Sequence, residues 1–298
     1  MNNLDDLFMQ ENESPAPQNN QPFDKEAWKQ QKRKQREMVY SMIDGTANDV
    51  AINSIAFQNY LDIQSRFERY SVANALLILA QRPDATRIAD FETWKEQGIY
   101  IRKKESGFYI LEPGEEYQRD DGTTGINYNL KKMFDISQTG AQKQETPTYP
   151  DERSRIKALM AHAPVPIRIN NMLPEGVDAI YIPEEREIHI RKGMNADDIF
   201  HSLSQELAHS EMDKGDGSYS RSNYDFHAYC VSYMLCKQYG VNVQSFRFDE
   251  SPHILQSMNS QEVRSELSII RETATEISSR MSRMLAQERD QKRQEPER

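Results

Sequence analysis

The spacing of apolar positions divides the chain into blocks. Residues 1 to about 22 are rich in Asn, Gln, Asp, Glu and Pro. They offer too little apolar surface to offset the entropy of ordering, so this stretch is expected to be disordered. Lys25 to Arg36 alternates lysine, arginine and glutamine around Trp28. It predicts a basic helix with a solvated face and Trp28 docked on the body, or else an arm that touches phosphate. Asn53, Ile55, Phe57, Tyr60 and Leu61 follow helical spacing, and a second apolar helix over 71–80 is stopped by Pro83. A short helix at Asp90–Trp94 ends before Gly98.

Alternation takes over at Ile99–Arg102 and Phe108–Leu111. The five residues Lys103–Gly107 between them have hairpin length. A polar loop is expected from Pro113 to Gly125, then a third strand from Ile126 to Phe134. Residues 140–152 read as a Gln/Thr/Pro linker. Beyond it come a helix from Ser154 to His162, strands at 167–169, 179–182 and 187–190, and a helix over about 196–212. The loop Asp213–Ser220 lacks the ligand spacing of an EF-hand and is a turn. An apolar helix follows over 223–239. From Asn259, with Glu262 as capping partner, Val263, Leu267, Ile270, Ala274, Ile277, Met281 and Met284 form a heptad stripe. That stripe fits either a self-association seam or a long helix laid on its own chain.

Composition adds limits. In 298 residues the hydrophobic fraction is 37%, the charged fraction 28% and the net charge −10. That charge argues against indiscriminate coating of nucleic acid but leaves room for a local basic groove. Cys230 and Cys236 point to different faces of one apolar helix, so they are expected to be core thiols in a reducing compartment. No stretch is apolar enough to span a bilayer, and Met1–Asp6 lacks the character of a signal peptide, so a cytoplasmic protein is expected.

Candidate chemistry centres on Phe200–His209. Within it, Gln205-Glu206-Leu207-Ala208-His209 differs by one residue from His-Glu-x-x-His. In that motif two histidines one turn apart hold zinc, and the glutamate serves as general base on a metal-bound water. Glutamine offers only a neutral amide oxygen, a weak zinc donor. His201 lies two helical turns from His209, roughly 12 Å along the axis, too far to share one ion. Elsewhere, Arg102, Lys103, Lys104, Lys131 and Lys132 sit on or beside strands that carry Tyr100, Phe108, Tyr109 and Tyr128. Cations that track a backbone and rings that stack bases are what sequence-tolerant single-strand binding requires. The competing reading is half-buried sheet tyrosines with lysines that protect an edge.

The succession Tyr70–Pro83, Trp94…Gly98, Gly107–Ile110 and Met133–Thr139 resembles the N-terminal domain of antirestriction proteins of the ArdC kind, carried on conjugative elements. The resemblance covers about residues 45–240. It implies single-stranded DNA binding by an N-terminal domain and a zincin-like metallopeptidase domain after it. In that family an acidic third ligand comes from the helix after the motif. Aligning Ser232–Cys236 with that helix places Tyr229 at the position, with Asp225 or His227 as alternatives.

The resulting expectation is an α+β chain of two domains and a long C-terminal helix. Its parts are an arm over 1–44, an ArdC-like domain over 45–140, a linker over 141–152, a degenerate zincin-like domain over 153–250 and the heptad helix over 259–290. No cofactor is expected, zinc being the one candidate, held by His209, Gln205 and Asp225 with Glu206 as base. The expected function is that of a DNA-associated accessory protein of a mobile element. The rivals are an active zinc peptidase, and a protein-interaction module working through the last helix.

Overall fold

The structure, a computed structural model, describes residues 25–119, 121–141, 148–248 and 254–294. The expected disordered start, part of the linker and the end of the 153–250 block lie outside the described residues. The chain is α+β, with two small three-stranded sheets, and divides into two units. The first comprises residues 1–47 and 73–145, the second 48–72 and 146–298. The division therefore does not follow the sequence boundary at 140: residues 48–72 belong with the C-terminal half.

In the first unit, α1 (Lys25–Ile52) starts the described chain and runs on past the division at residue 47. Trp28 is 48% exposed, and the Lys32 ammonium lies 6.0 Å from its ring centre. The sheet has the order β1-β3-β2 and is antiparallel, from β1 (Ile88–Ala89), β2 (Phe108–Gln118) and β3 (Thr124–Asp135). The expected hairpin between 99–102 and 108–111 is not formed. Ile101 makes only an isolated bridge to Thr139. Residues 108–118 pair instead with 124–135, so most of the expected polar loop is strand. Its far half is exposed on both faces, which erases the alternation that marks a half-buried strand. The turn closes with Arg119 N–H on Thr123 O at 2.8 Å, and Gly122 supplies the left-handed φ of 81°.

The core of this sheet is Trp94, from α4 (Phe91–Glu96), with Ala89 and Phe134. The Trp94 indole N–H donates to Phe134 O at 2.9 Å. The outer edge of β2 is closed by side chains of α3 (Val72–Gln81). Asn74 accepts from Leu111 N at 2.7 Å and donates to Leu111 O at 2.8 Å. Two turns on, Gln81 does the same for Tyr109, at 3.0 and 2.9 Å. Two carboxamides thus stand where a neighbouring strand would otherwise pair.

The second unit begins with α2 (Ser54–Arg66), whose Asp62 accepts from Tyr233 Oη at 2.6 Å and meets Lys237 at 3.0 Å. Helix α5 (Glu152–Met160) and the sheet β4 (Ile167–Ile169), β5 (Ala179–Ile182) and β6 (Glu187–Ile190) follow. The order is β4-β6-β5, with β4 parallel and β5 antiparallel to β6. Then come α6 (Ala196–Met212), α7 (Arg221–Tyr239) and α8 (Ser260–Gln294). Ser204 and Ser232, small enough for close approach, join α6 to α7 by a 2.7 Å hydroxyl pair. Gly240 ends α7 in the left-handed conformation, and Arg155 caps its last carbonyls, Tyr239 O and Gly240 O, at 3.1 and 2.9 Å.

The heptad stripe of α8 is buried inside this unit. Val263, Leu267, Ile270, Ala274, Ile277 and Met281 are each at most 1% exposed. Of the two readings the stripe allowed, its burial fits the helix laid on its own chain rather than the self-association seam: the apolar face is covered by the chain's own helices.

Candidate functional site

Helix α6 is anchored at its start by Asn195, which accepts from Asp198 N. It carries Glu206 and His209 on its buried side, while Gln205 is half-buried. Glu206 does not face open solvent. Its Oε2 accepts from Tyr181 N of β5 at 2.7 Å. Both of its oxygens are also taken by Arg221, the first residue of α7, at 2.7 and 2.8 Å. This bidentate pair is nearly sealed on the glutamate side, where the side chain is 4% exposed, and open on the arginine side at 37%. The Glu206 pairing pushes the Arg221 guanidinium still higher than usual.

His209 is fully buried. Its Nδ1 pairs with Tyr219 Oη at 2.9 Å. Its Nε2 lies 3.2 Å from Asp225 Oδ1, yet not aligned as a hydrogen bond. Burial first, and the nearby Arg221 charge second, drive the imidazole down to about 3, so it is neutral near pH 7. The same Asp225 oxygen is 3.4 Å from Arg221 Nε. Tyr219 stacks on Tyr224 with centroids 5.8 Å apart and meets the edge of Tyr181. Tyr181 Oη donates to Asp213 at 2.8 Å; burial, reinforced by Asp213, pushes its phenol up to about 12.

Of the expected ligands, the structure brings His209 and Asp225 together. His227 is turned to α8, 2.6 Å from Glu266, and Tyr229 Oη accepts from Arg247 N at 2.6 Å. His201 is tied to Asn242 O. Sequence reasoning missed Arg221, Tyr219 and Tyr181. The signal for Arg221 was present: it sits four residues before Asp225 on the same helix.

The residues present do not fit a divalent ion well. The unpaired His209 Nε2 is the one group that suits it. Against it stand a neutral amide at position 205 and a fixed guanidinium holding Glu206 and touching Asp225. A second carboxylate–imidazole group, Glu185, Glu187 and His189, lies on or beside β6. There Arg168 already pairs with Glu187 at 2.5 Å and holds its carboxyl below the usual range.

The expected nucleic-acid face is in the first unit. Tyr100 is 68% exposed, and Arg102, Lys103 and Lys104 beside it are exposed. Lys132 is half-buried, with its stem lying against Gly107 at the end of the same loop. Tyr128 is exposed, and its carbonyl accepts from Arg36 of α1 at 2.8 Å. Phe108 and Tyr109 are in the core and cannot stack on bases. Arg102 is held by Glu105 and Ser137 O, and Lys131 by Glu112 and Asp90, so neither is a free cation.

Residues 45–157 match the family model for the N-terminal domain of the anti-restriction factor ArdC. No curated protein matches the sequence. Among solved structures the chain is similar to the antirestriction ArdC protein from the R388 plasmid. The Mn(II)-bound form is 18% identical with a TM-score of 0.51, covering 80% of this chain and 97% of that one. The metal-free form is 20% identical with a TM-score of 0.44, covering 73% and 84%. At such identity the likeness is one of fold, and the Mn(II)-bound comparison carries it. Residues 45–157 are thus an ArdC-type N-terminal domain, and the chain shares its fold with the R388 protein.

Proposed function

We propose that this protein is an antirestriction factor that binds single-stranded DNA through its ArdC-like N-terminal domain, and that its second unit performs no metallopeptidase chemistry. The observation that carries the first part is the exposed Tyr100 beside Lys103, Lys104 and Lys132, inside the stretch that matches the ArdC domain. An exposed ring offers a stacking platform to any base, and the ammonium groups pair with phosphates without reading sequence. The exposed Tyr128, beside Arg36 of the basic helix, extends the same chemistry.

The second part rests on the helix site. The R388 protein has a Mn(II)-bound form; here glutamine stands at the first ligand position of the motif and Glu206 is engaged by Arg221. A glutamate held in a bidentate ion pair cannot take a proton from water as the peptidase mechanism requires.

Fluorescence anisotropy with a labelled oligonucleotide of mixed sequence tests the DNA reading. Binding should weaken with salt, with a log–log slope of about −2 if three lysines each release counterions from a single strand. Tyr100→Ala and Lys103→Glu/Lys104→Glu should weaken it, while Tyr109→Phe, in the core, should not. No binding at low salt overturns the reading.

A further inference from the structure

We infer that the Arg221 guanidinium occupies the cation position of the α6–α7 site, in place of a divalent metal, so that the second unit completes its fold with an internal, covalently attached cation. The inference deepens the reading of this unit as non-catalytic, and it can be tested apart from it: a site may lack peptidase activity and still hold metal.

Three contacts converge on this assignment. Glu206 is sealed from solvent and needs a positive partner; Arg221 supplies one to both oxygens at 2.7 and 2.8 Å. Arg221 Nε lies 3.4 Å from Asp225 Oδ1, so the same guanidinium touches both acids of the site. That Asp225 oxygen lies 3.2 Å from His209 Nε2. An ion ligated by His209 and Asp225 would have to share this oxygen with a fixed positive charge. Like charges at such range repel, with part of the repulsion screened by water because the Asp225 and Arg221 side chains are 53% and 37% exposed. The guanidinium is also suited to the role by shape. Its planar fork matches a carboxylate in two parallel hydrogen bonds, which the point charge of an ammonium cannot do.

Glu206 and Asp225 contribute two negative charges and Arg221 one positive; the remaining negative charge sits on Asp225, whose side chain is 53% exposed and solvated. Gln205, which adds no charge and is a poor metal donor, is consistent with a site that no longer selects for an ion. The one feature that would suit a metal, the unpaired His209 Nε2, faces the oxygen that Arg221 already touches.

The test uses the full chain, with zinc sulfate as the probe. Four proteins are compared by elemental analysis and isothermal titration: unmodified, Gln205→His, Gln205→His/Arg221→Gln and Gln205→His/Arg221→Lys. Glutamine keeps hydrogen-bonding capacity toward Glu206 without charge; lysine keeps the charge without the fork. Zinc should be absent from the unmodified protein, from Gln205→His and from the lysine variant. The glutamine variant should bind it at least about tenfold more tightly than Gln205→His. Gln205→His binding zinc as tightly as the glutamine variant overturns the assignment, and so does a folded glutamine variant that gains nothing. Should that variant fail to fold, the unmodified protein still decides. Its Arg221 Nε–H resonance must stay in place through a zinc titration and after EDTA, and displacement by zinc overturns the inference. Peptidase activity in metal-free protein would sink the non-catalytic reading and leave this inference standing; stoichiometric zinc in unmodified protein sinks the inference itself.

Discussion

Replacing Asn74 by leucine should destabilise the first unit by about 2–5 kcal/mol. Leucine keeps the branching and heavy-atom count of asparagine and leaves no cavity, so the main cost comes from hydrogen bonding. Asn74 satisfies both backbone groups of Leu111 at 2.7 and 2.8 Å, and both residues are buried, at 6% and 7% exposure. The far edge of β2 has β3 as its partner, so these two groups have no strand to turn to. Each buried group left unpaired costs roughly 1–3 kcal/mol. Asn74→Asp should be worse than leucine at neutral pH, since a carboxylate still accepts from Leu111 N but meets Leu111 O without a donor. Urea unfolding followed by tryptophan fluorescence isolates the effect. The only two tryptophans of the sequence, Trp28 and Trp94, both belong to the first unit, and Trp94 is fully buried. The midpoint should fall with an unchanged urea dependence. Gln81→Leu, which frees Tyr109 in the same way, should add to it within about 0.5 kcal/mol, because the two clamps lie two helical turns apart. A loss below about 0.5 kcal/mol for Asn74→Leu would refute the idea that carboxamides close this edge.

Three further outcomes are expected. His209 is held down to about 3 in the fold and returns to about 6.5 on unfolding, so its stabilising effect is complete above pH 6.5 and is lost as pH falls toward 3. His209→Gln should therefore flatten the decline in stability of the second unit over that window, by up to about 1.4 kcal/mol per pH unit as read from far-ultraviolet circular dichroism at several pH values; an unchanged slope would contradict the buried neutral imidazole. Deleting residues 259–298 should unfold the second unit and expose it to protease, rather than turn a dimer into a monomer, because the α8 stripe is core. Leu267→Ala alone, at a fully buried position, should cost about 2–5 kcal/mol by the same circular dichroism melts.

How far the sequence could be read depended on whether burial left a periodic trace. The strands at 179–182 and 187–190 and the helix over 196–212 did leave one, and the structure has β5, β6 and α6 at those positions; β4 at 167–169 alternates in sequence although neither isoleucine is buried. The β2–β3 ribbon did not. Glu115, Glu116, Asn127 and their neighbours see solvent on both faces, so their polar run reads as loop although the backbone is paired. The α8 stripe left a clear trace with two meanings, since heptad spacing is the same whether the partner is another copy or the chain's own α5, α6 and α7. Asp225 is the ligand the sequence favours, but alignment places Tyr229 there and His227 stays open until the start of α7 is fixed at Arg221. That start turns Asp225 toward His209 and sends His227 toward Glu266. Phe108 and Tyr109 were assigned to DNA because aromatic residues in a strand look alike on either face; packing put both in the core.

A guanidinium and a divalent ion solve the same electrostatic problem with different consequences. A buried carboxylate such as Glu206 needs a cation within contact distance, and either one supplies it. The ion adds Lewis acidity: it lowers the proton affinity of bound water and makes a nucleophile near neutral pH. A guanidinium remains protonated throughout the accessible pH range, carries no empty coordination position and cannot bind water as hydroxide. What it adds is permanence, because it is part of the chain and cannot be diluted or chelated away. On the proposed reading, the arginine at the start of α7 holds α6, α7 and β5 together without an ion. The contacts that do this are Glu206 on α6, Tyr181 N on β5 and Arg221 on α7. Arg221→Ala should accordingly loosen three elements at once, and amide exchange at Tyr181 should rise along with that of the first turn of α7. Protection unchanged at Tyr181 in that variant would mean that the ion pair decorates the site without organising it.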